Sequence, residues 1–487
     1  MHSLLSLLVG FSFNQGLATI VILVADLLAL ASLPSVLLRR RGRPMAALSW
    51  VLTLVALPYL GLLLWWTFGR THLSRHRRKK RRANQAICIE CARPEDSDKL
   101  LYTDSLLPFR DGNRRWTEGV FSPSEVFGMS VLCDGDEGFP AMEQAIASAN
   151  TEIRALFYIW QNDEIGLRFA ELLAQKARTG VSVRILLDAV GSSSFIRQQG
   201  KMLKRAGVEV GVFLPARFRP WAPTFNFRNH RKLLLVDGAV GFIGGMNIGD
   251  EYVSEWHDLA CRLHGPVLEN LDEVFREDWF FATGADLGAV EGQATATKRE
   301  EDSSASGACT VIASGPDRDE NRVHDAVFLG ITSAQERVWI ATPYFVPSHE
   351  IMAALRGAAH RGLDVRLVIP KANDLTIIKW AARTYYQQLL DSGVRIFEYM
   401  PRFSHMKAMV LDRKLTLLGS PNVDLRSYRL NFELACMVES QELNEQVAAV
   451  LARDVSASEE LTKDVLRQES LNRQLVESAA HLLSPLL

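Results

Sequence analysis

The chain has 487 residues, 48% of them hydrophobic, which is ample for large cores and excludes a disordered protein. Its formal net charge of -1 conceals a split: residues 1–82 hold 12 Lys+Arg against the single acid Asp26, which leaves 43 basic and 55 acidic residues for the remainder. That polarity points to a basic segment near anionic lipid rather than to a nucleic-acid binder with charge spread over its body.

The first elements are two apolar runs, LATIVILVADLLALASLPSVLL at 17–38 and AALSWVLTLVALPYLGLLLWWTF at 46–68. Each reaches the roughly 20 residues that cross a bilayer as helix. Asp26 costs about 2.5–3.5 kcal/mol at such depth, and Pro34 and Pro58 require partners for the carbonyls they free. No basic stretch precedes the first run and no small-x-small site follows it before RRRGR, so cleavage as a signal peptide is disfavoured. Eight basic residues in 69–82 outnumber the four of RRRGR, which predicts a transmembrane helical hairpin with the N-terminus and the body both cytoplasmic. A re-entrant or interfacial first segment satisfies the same charges. Of the six cysteines, only Cys88 and Cys91 form a C-x-x-C; no second ligand pair at zinc spacing accompanies them.

Beyond residue 100, strand and helix periods alternate. IRALFYIW reads as a strand, IGLRFAELLAQKARTG as an amphipathic helix closed by Gly180, and VSVRILLD and VEVGVFLP as further strands. RVWIATPYF, EIMAALRGAAHRG, LDVRLVIP, TIIKWAARTYYQQLLDSG and VRIFEYMP repeat that order over 337–401. The polar stretch 291–307, EGQATATKREEDSSASG, is too poor in apolar residues to pack and reads as a linker. The predicted organisation is therefore a membrane hairpin with its basic segment over 1–82, a first half over 83–290, the linker, and a second half with C-terminal helices over 308–487.

The repeat extends to chemistry-bearing residues. NHRKLLLVDG carries His230, Lys232 and Asp237; SHMKAMVLDR carries His405, Lys407 and Asp412 at a constant offset of 175. Gly244 and Asn247 recur as Gly419 and Asn422, and the acid Asp258 as Glu433. Two such H-x-K-x4-D motifs resemble the phospholipase D superfamily. GGMNIGDEY after the first motif, GSPNVDLRSYRLNFE after the second and WVLTLVALPYLGLLLWWTFG before both narrow the resemblance to bacterial cardiolipin synthases. It implies an α/β fold of two phospholipase D-like halves about a pseudo-twofold axis, behind the hairpin. It also implies an enzyme of the bacterial inner membrane that takes phosphatidylglycerol among anionic lipids, uses no cofactor or metal and binds no nucleic acid. A phospholipase D or phosphatidylserine synthase differs only in the acceptor alcohol.

Exchange of one phosphodiester for another requires a nucleophile, an acid for the leaving alkoxide and cations around phosphorus. Two imidazoles and two ammonium groups supply these. By the resemblance, His230 attacks phosphorus, His405 protonates the leaving glycerol, and Lys232 and Lys407 bind the phosphate oxygens. Asn247, Ser420 and Asn422 are expected to donate to phosphate. Asp258 and Glu433 each stand 28 residues after the histidine of their own half and are expected to orient it. By the resemblance the motif aspartates Asp237 and Asp412 count with the catalytic residues, but they lie at odd separation from the His/Lys face, which reads as support at a strand end. Gly245 stands where the superfamily usually has the serine that Ser420 keeps.

Two features remain. Arg217, Arg219, Trp221, Phe225 and Phe227, within 216–230, interleave cations with aromatics as an interfacial lip does, or form a packed loop. His257, His264, His324, His349 and His360 read as ordinary surface or core histidines.

Overall fold

The computed structural model describes residues 15–40, 44–69, 120–214, 227–288, 306–317, 321–467 and 470–482. The helices within 15–69 belong to one compact unit and the chain from 120 to 482, as described, to another. The basic run 70–82, Cys88, Cys91, residues 216–226 of the expected lip and all but the last two residues of the 291–307 linker lie outside the described residues.

The first apolar run forms one helix, Gln15–Arg39, with Asp26 and Pro34 inside it. The second is broken into Pro44–Ala56 and Pro58–Leu64, followed by a single wide turn over Trp65–Gly69. Pro58 causes the break: it lacks an N–H and drives Leu57 out of helical geometry, to φ -134° and ψ 67°. Pieces of 13 and 7 residues span about 20 and 10 Å, short of a hydrocarbon core of about 30 Å. No helix among the described residues is long and apolar enough to cross a membrane, so the expected transmembrane hairpin is not supported. The helices instead pack on one another around Ala29, Val36, Leu54 and Trp65.

The larger unit contains two sheets built to one plan. In the first, the strands run Gly128–Cys133, Leu259–His264, Val240–Gly244, Leu233–Val236, Glu152–Phe157, Ser182–Asp188 and Glu209–Phe213 from edge to edge. The last three are mutually parallel and the others antiparallel to their neighbours. The second sheet repeats this with Gly307–Ser314, Asn431–Glu439, Leu415–Gly419, Ala408–Leu411, Arg337–Ala341, Asp364–Pro370 and Arg395–Tyr399. It adds Ser458–Leu461 at one edge and Ser124–Val126 at the other. The latter precedes the first sheet in the chain yet pairs with the second.

Local sequence explains the repeat. Glu152–Phe157 is buried along its whole length, as expected of a strand covered on both faces. The helix Glu164–Arg178 begins where Asp163 accepts from the Gly166 N–H and ends before Gly180, whose φ of 95° suits glycine alone among common residues. Each half surrounds its own core, one including Phe139, Phe169 and Phe195, the other Ile340, Leu389 and Met437.

The halves join through exchanged two-residue strands. Arg228–Asn229, just before the first motif, pairs parallel with Asn431–Phe432 of the second half. Phe403–Ser404, just before the second motif, pairs parallel with Trp256–His257 of the first. Phe227, counted above among interfacial aromatics, is instead buried, because the strand it leads into runs into this junction.

Candidate active site

The exchange carries each histidine to the other half. The His230 N–H donates to the Phe432 carbonyl at 2.9 Å, and the His405 N–H to the His257 carbonyl at 2.7 Å. One residue further along each receiving strand stands an acid. His230 Nδ1 therefore meets Glu433 at 3.0 and 3.1 Å, and His405 Nδ1 meets Asp258 at 2.6 Å. This corrects the pairing expected within each half. The offset of 28 residues identifies the two acids, but the junction, not the offset, decides which imidazole each one holds. With Nδ1–H donating to a carboxylate, Nε2 of each ring is left as the free nitrogen.

Both histidines and both lysines are buried, and they share one electrostatic environment. Burial, reinforced by Lys232 and Lys407 and opposed by Glu433, pushes the His230 imidazole from 6.5 down to about 4. Burial and the same two ammonium groups, with His230, hold His405 well below its usual value. Burial and Lys407 depress Lys232, whereas Lys407 falls to about 8 by burial against the pull of Asp258 and Glu433. Each lysine is anchored on the carbonyl of its own histidine, Lys232 Nζ at 2.7 Å from His230 O and Lys407 Nζ on His405 O. Two crowded cations in a buried centre are a strong site for a phosphodiester anion.

The two acids differ. Burial would raise Glu433, but the charge and hydrogen bond of His230, with Lys232 and the Ser420 hydroxyl, hold it down at about 2. Burial raises Asp258 to about 6 against the attraction of Lys407 and Lys232. The pseudo-equivalent positions Gly245 and Ser420 explain the geometry. A Cβ at Gly245 would lie 2.3 Å from Asp258 Oδ1, so the shorter acid occupies the space a side chain would take. At the other site Ser420 Oγ donates to Glu433, which Asn431 Nδ2 also contacts at 3.1 Å.

The remaining expected residues fall into two groups. Asp237 accepts N–H bonds from Asn150, Thr151 and Glu152 at 2.7–2.8 Å, and Asp412 from Gln335, Glu336 and Arg337 at 2.7–3.1 Å. Both have positive φ, 52° and 50°, at the turn after their motif strand. They buttress the backbone, as their odd spacing implied. The expected phosphate donors have protein partners: Asn247 accepts from Ile159 N–H and donates to Tyr252 Oη, Ser420 donates to Glu433, and Asn422 donates to Asp424. Asn422 also retains a buried side-chain oxygen with no hydrogen-bond partner.

Aromatic neighbours of the histidines had no pattern to reveal them. Tyr158 packs edge-on to His230 at 5.1 Å with Lys232 Nζ over its ring at 5.6 Å. Trp256 packs on His405 at 4.7 Å. These rings pack against the imidazoles and help to bury them.

The sequence comparisons agree with this geometry. A family model described as "Cardiolipin synthase, PLD-like domain" matches residues 142–279 and 329–455, and a "Phospholipase_D-nuclease N-terminal" model matches 24–70. A cardiolipin synthase of Geobacillus thermodenitrificans is 34% identical over 454 residues, covering 91% of this chain and 89% of that protein. Cardiolipin synthase 2 of Bacillus anthracis is 34% identical over 455 residues, covering 91% and 87%. Among solved structures, phosphatidylserine synthase of Haemophilus influenzae shares the fold at TM-score 0.59 and 16% identity, over 75% of this chain and 97% of that one. The chain belongs to the phospholipase D-like cardiolipin synthase family.

Proposed function

We propose that this enzyme transfers a phosphatidyl group from one phosphatidylglycerol to another, giving cardiolipin and glycerol through a phosphatidyl-histidine intermediate. The observation that carries the reading is the pair of crossed histidine–carboxylate contacts in one buried centre with two lysines. His230 Nε2 attacks phosphorus, the bond to the glycerol oxygen breaks, and His405 supplies the proton that oxygen needs. A second phosphatidylglycerol hydroxyl then gives its proton back to His405 and displaces His230, restoring the starting enzyme.

The unequal acids support this division. An anionic Glu433 keeps the His230 Nδ1–H in place and the ring nucleophilic. At His405 the partner Asp258 has its pKa raised to about 6, so this pair is the better place to hold a proton. The phosphate anion, once seated, favours His405 in its charged form. Asp237 and Asp412 serve as supports, and the lysines bind phosphate oxygens.

The same reading places the chain at the bacterial inner membrane with its body on the cytoplasmic side. Contact with a membrane is supported by outward leucines in the apolar helices, among them Leu27, Leu38 and Leu63, 65%, 76% and 65% exposed, too many to leave against water, and the cytoplasmic side by the eight basic residues in 69–82. Residues 83–290 and 308–487 are the two halves, with 291–307 between them. Incubation with headgroup-labelled phosphatidylglycerol in bilayers tests the proposal: cardiolipin and free glycerol are expected, and phosphatidic acid as the main product would make the enzyme a hydrolase.

A further inference from the structure

His257 is buried beside the site, and both its ring nitrogens face carboxylates. Nδ1 lies 2.8 Å from Asp134 Oδ1, on the leading helix of the first half, and Nε2 lies 3.1 Å from Asp454 Oδ1, on Gln441–Ser456 of the second. Two acceptors require two donors, so the ring is an imidazolium. Arg402 Nη2 closes the row on Asp134 Oδ2 at 2.5 Å. Arg402, Asp134, His257 and Asp454 thus alternate in sign across the junction.

The row ends on the catalytic pair. Asp134 Oδ1 also accepts the Asp258 N–H at 2.9 Å, and the Asp134 N–H donates to the Asp258 carbonyl at 2.9 Å. The His257 carbonyl accepts from the His405 N–H at 2.7 Å. We infer that His257 is a positioning residue for the acid half of the reaction: as a cation bridging Asp134 and Asp454, it fixes the Asp258 carboxylate against His405.

The other half-site shows what is particular about this one. Phe432 occupies the pseudo-equivalent position, and it packs on Phe213 at 5.1 Å and Phe281 at 6.1 Å. The His230–Glu433 pair is therefore backed here by an apolar ring and by Arg231, whose Nε donates to the Glu433 carbonyl at 3.1 Å and whose guanidinium stays charged across the working pH range. The His405–Asp258 pair is supported by a charge that can be removed. The groups facing His257 are Asp134, Asp454, the Tyr399 ring stacked at 5.1 Å, and Arg402 and Asp258 beyond Asp134. Burial disfavours the cation, but the bonds and charges of the two aspartates outweigh it and raise its pKa to about 9. Above that pH the two carboxylates face a neutral ring, and among these groups only Asp134 keeps a cation, Arg402.

The inference rests on the proposed phosphatidyl transfer and on His405 as its acid, and the test separates them. Two readouts are taken on wild type, His257→Gln and His257→Arg. One is adduct formation from a phosphatidyl ester of nitrophenol, whose leaving group needs no acid; the other is turnover of phosphatidylglycerol, whose leaving group does. His257→Gln should lower phosphatidylglycerol turnover by about 10-fold or more, with the 10²–10⁴-fold worth of general acid catalysis as the ceiling, while adduct formation stays within about 2-fold. His257→Arg should recover turnover and remove the part of the wild-type alkaline decline expected near pH 9, leaving the part near 8 that belongs to Lys407. Equal loss of both readouts in His257→Gln, or full turnover in that variant, overturns the inference. A wild-type enzyme that forms no adduct while making cardiolipin overturns the covalent mechanism instead, and with it the role assigned to His257.

Discussion

Glu433 holds His230 from 203 residues away, at 3.0 Å across the junction of the halves, while Asp258, much nearer in sequence, serves His405. Each catalytic pair is completed by the other half. Substitutions should therefore sort by pair and not by half. Glu433→Gln should slow adduct formation from an activated phosphatidyl ester by roughly 10³–10⁴-fold, the scale on which a misheld histidine loses its function. Asp258→Asn should leave that step within a few-fold and impair only turnover of phosphatidylglycerol. Stopped-flow release of nitrophenol measures the first step directly, and the opposite pattern would falsify the crossed assignment.

Histidine roles can be read from covalent products. His230→Ala should give no phosphatidyl-enzyme with any substrate, whereas His405→Ala should still form one from the nitrophenyl ester. Mass spectrometry of acid-free quenched protein locates the adduct; finding it on His405 in the His230→Ala enzyme reverses the two roles.

Gly245→Ser tests why the half-sites differ. Its Cβ would come to 2.3 Å from Asp258 Oδ1, so the carboxylate must move off His405. We expect phosphatidylglycerol turnover to fall at least about 10-fold, equivalent to about 1.4 kcal/mol, with adduct formation largely retained. Ser420→Gly should weaken the His230 side instead, by freeing Glu433 from its hydroxyl donor. Turnover kinetics on both variants, with both substrates, separate the two effects.

Asp237→Ala should be a stability variant. It strands three backbone N–H groups beside the Leu233–Val236 strand and removes a residue that tolerates a φ of 52°. Loss of about 2–4 kcal/mol is expected from charged hydrogen bonds of this kind. Denaturant titration should reveal it, while activity per folded molecule changes little; a lost adduct in fully folded protein would return Asp237 to the chemistry.

The His257 imidazolium also shapes stability against pH. Its folded-state pKa, about 9, exceeds the ordinary 6.5, so its contribution is complete below 6.5 and disappears as pH rises through about 9. The difference corresponds to about 3 kcal/mol. Calorimetry from pH 6 to 10 should show a decline that His257→Gln lacks, and an identical decline in that variant would assign it to another group.

The sequence made the duplicated α/β order legible because hydrophobic period and turn residues are local. The constant 175-residue offset did the same for His230, Lys232, His405 and Lys407. Strand alternation alone set Asp237 and Asp412 apart from the His/Lys face, and their carboxylates bond backbone N–H groups. What spacing could not convey was the crossing of Asp258 and Glu433, since an offset along the chain says nothing about which half supplies a strand's neighbour. Nor did it reveal His257, whose two carboxylates come from opposite halves, or the break at Leu57, where one proline outweighed twenty-odd apolar residues.

The exchanged strands Arg228–Asn229 and Phe403–Ser404 have a consequence for dissection of the chain. Expressed alone, neither half could carry a complete histidine–acid pair, because the acid left to it belongs to a histidine that has been removed. Two copies of one half could, however, trade strands with each other in the same register and rebuild two like pairs. A dimer of the first half would pair His230 with Asp258 twice over, and a dimer of the second His405 with Glu433. Cutting the chain at its linker thus asks whether the fused protein is more than two such dimers folded into one. The answer lies in whether unequal acids, which only the fused chain can combine, are required for turnover.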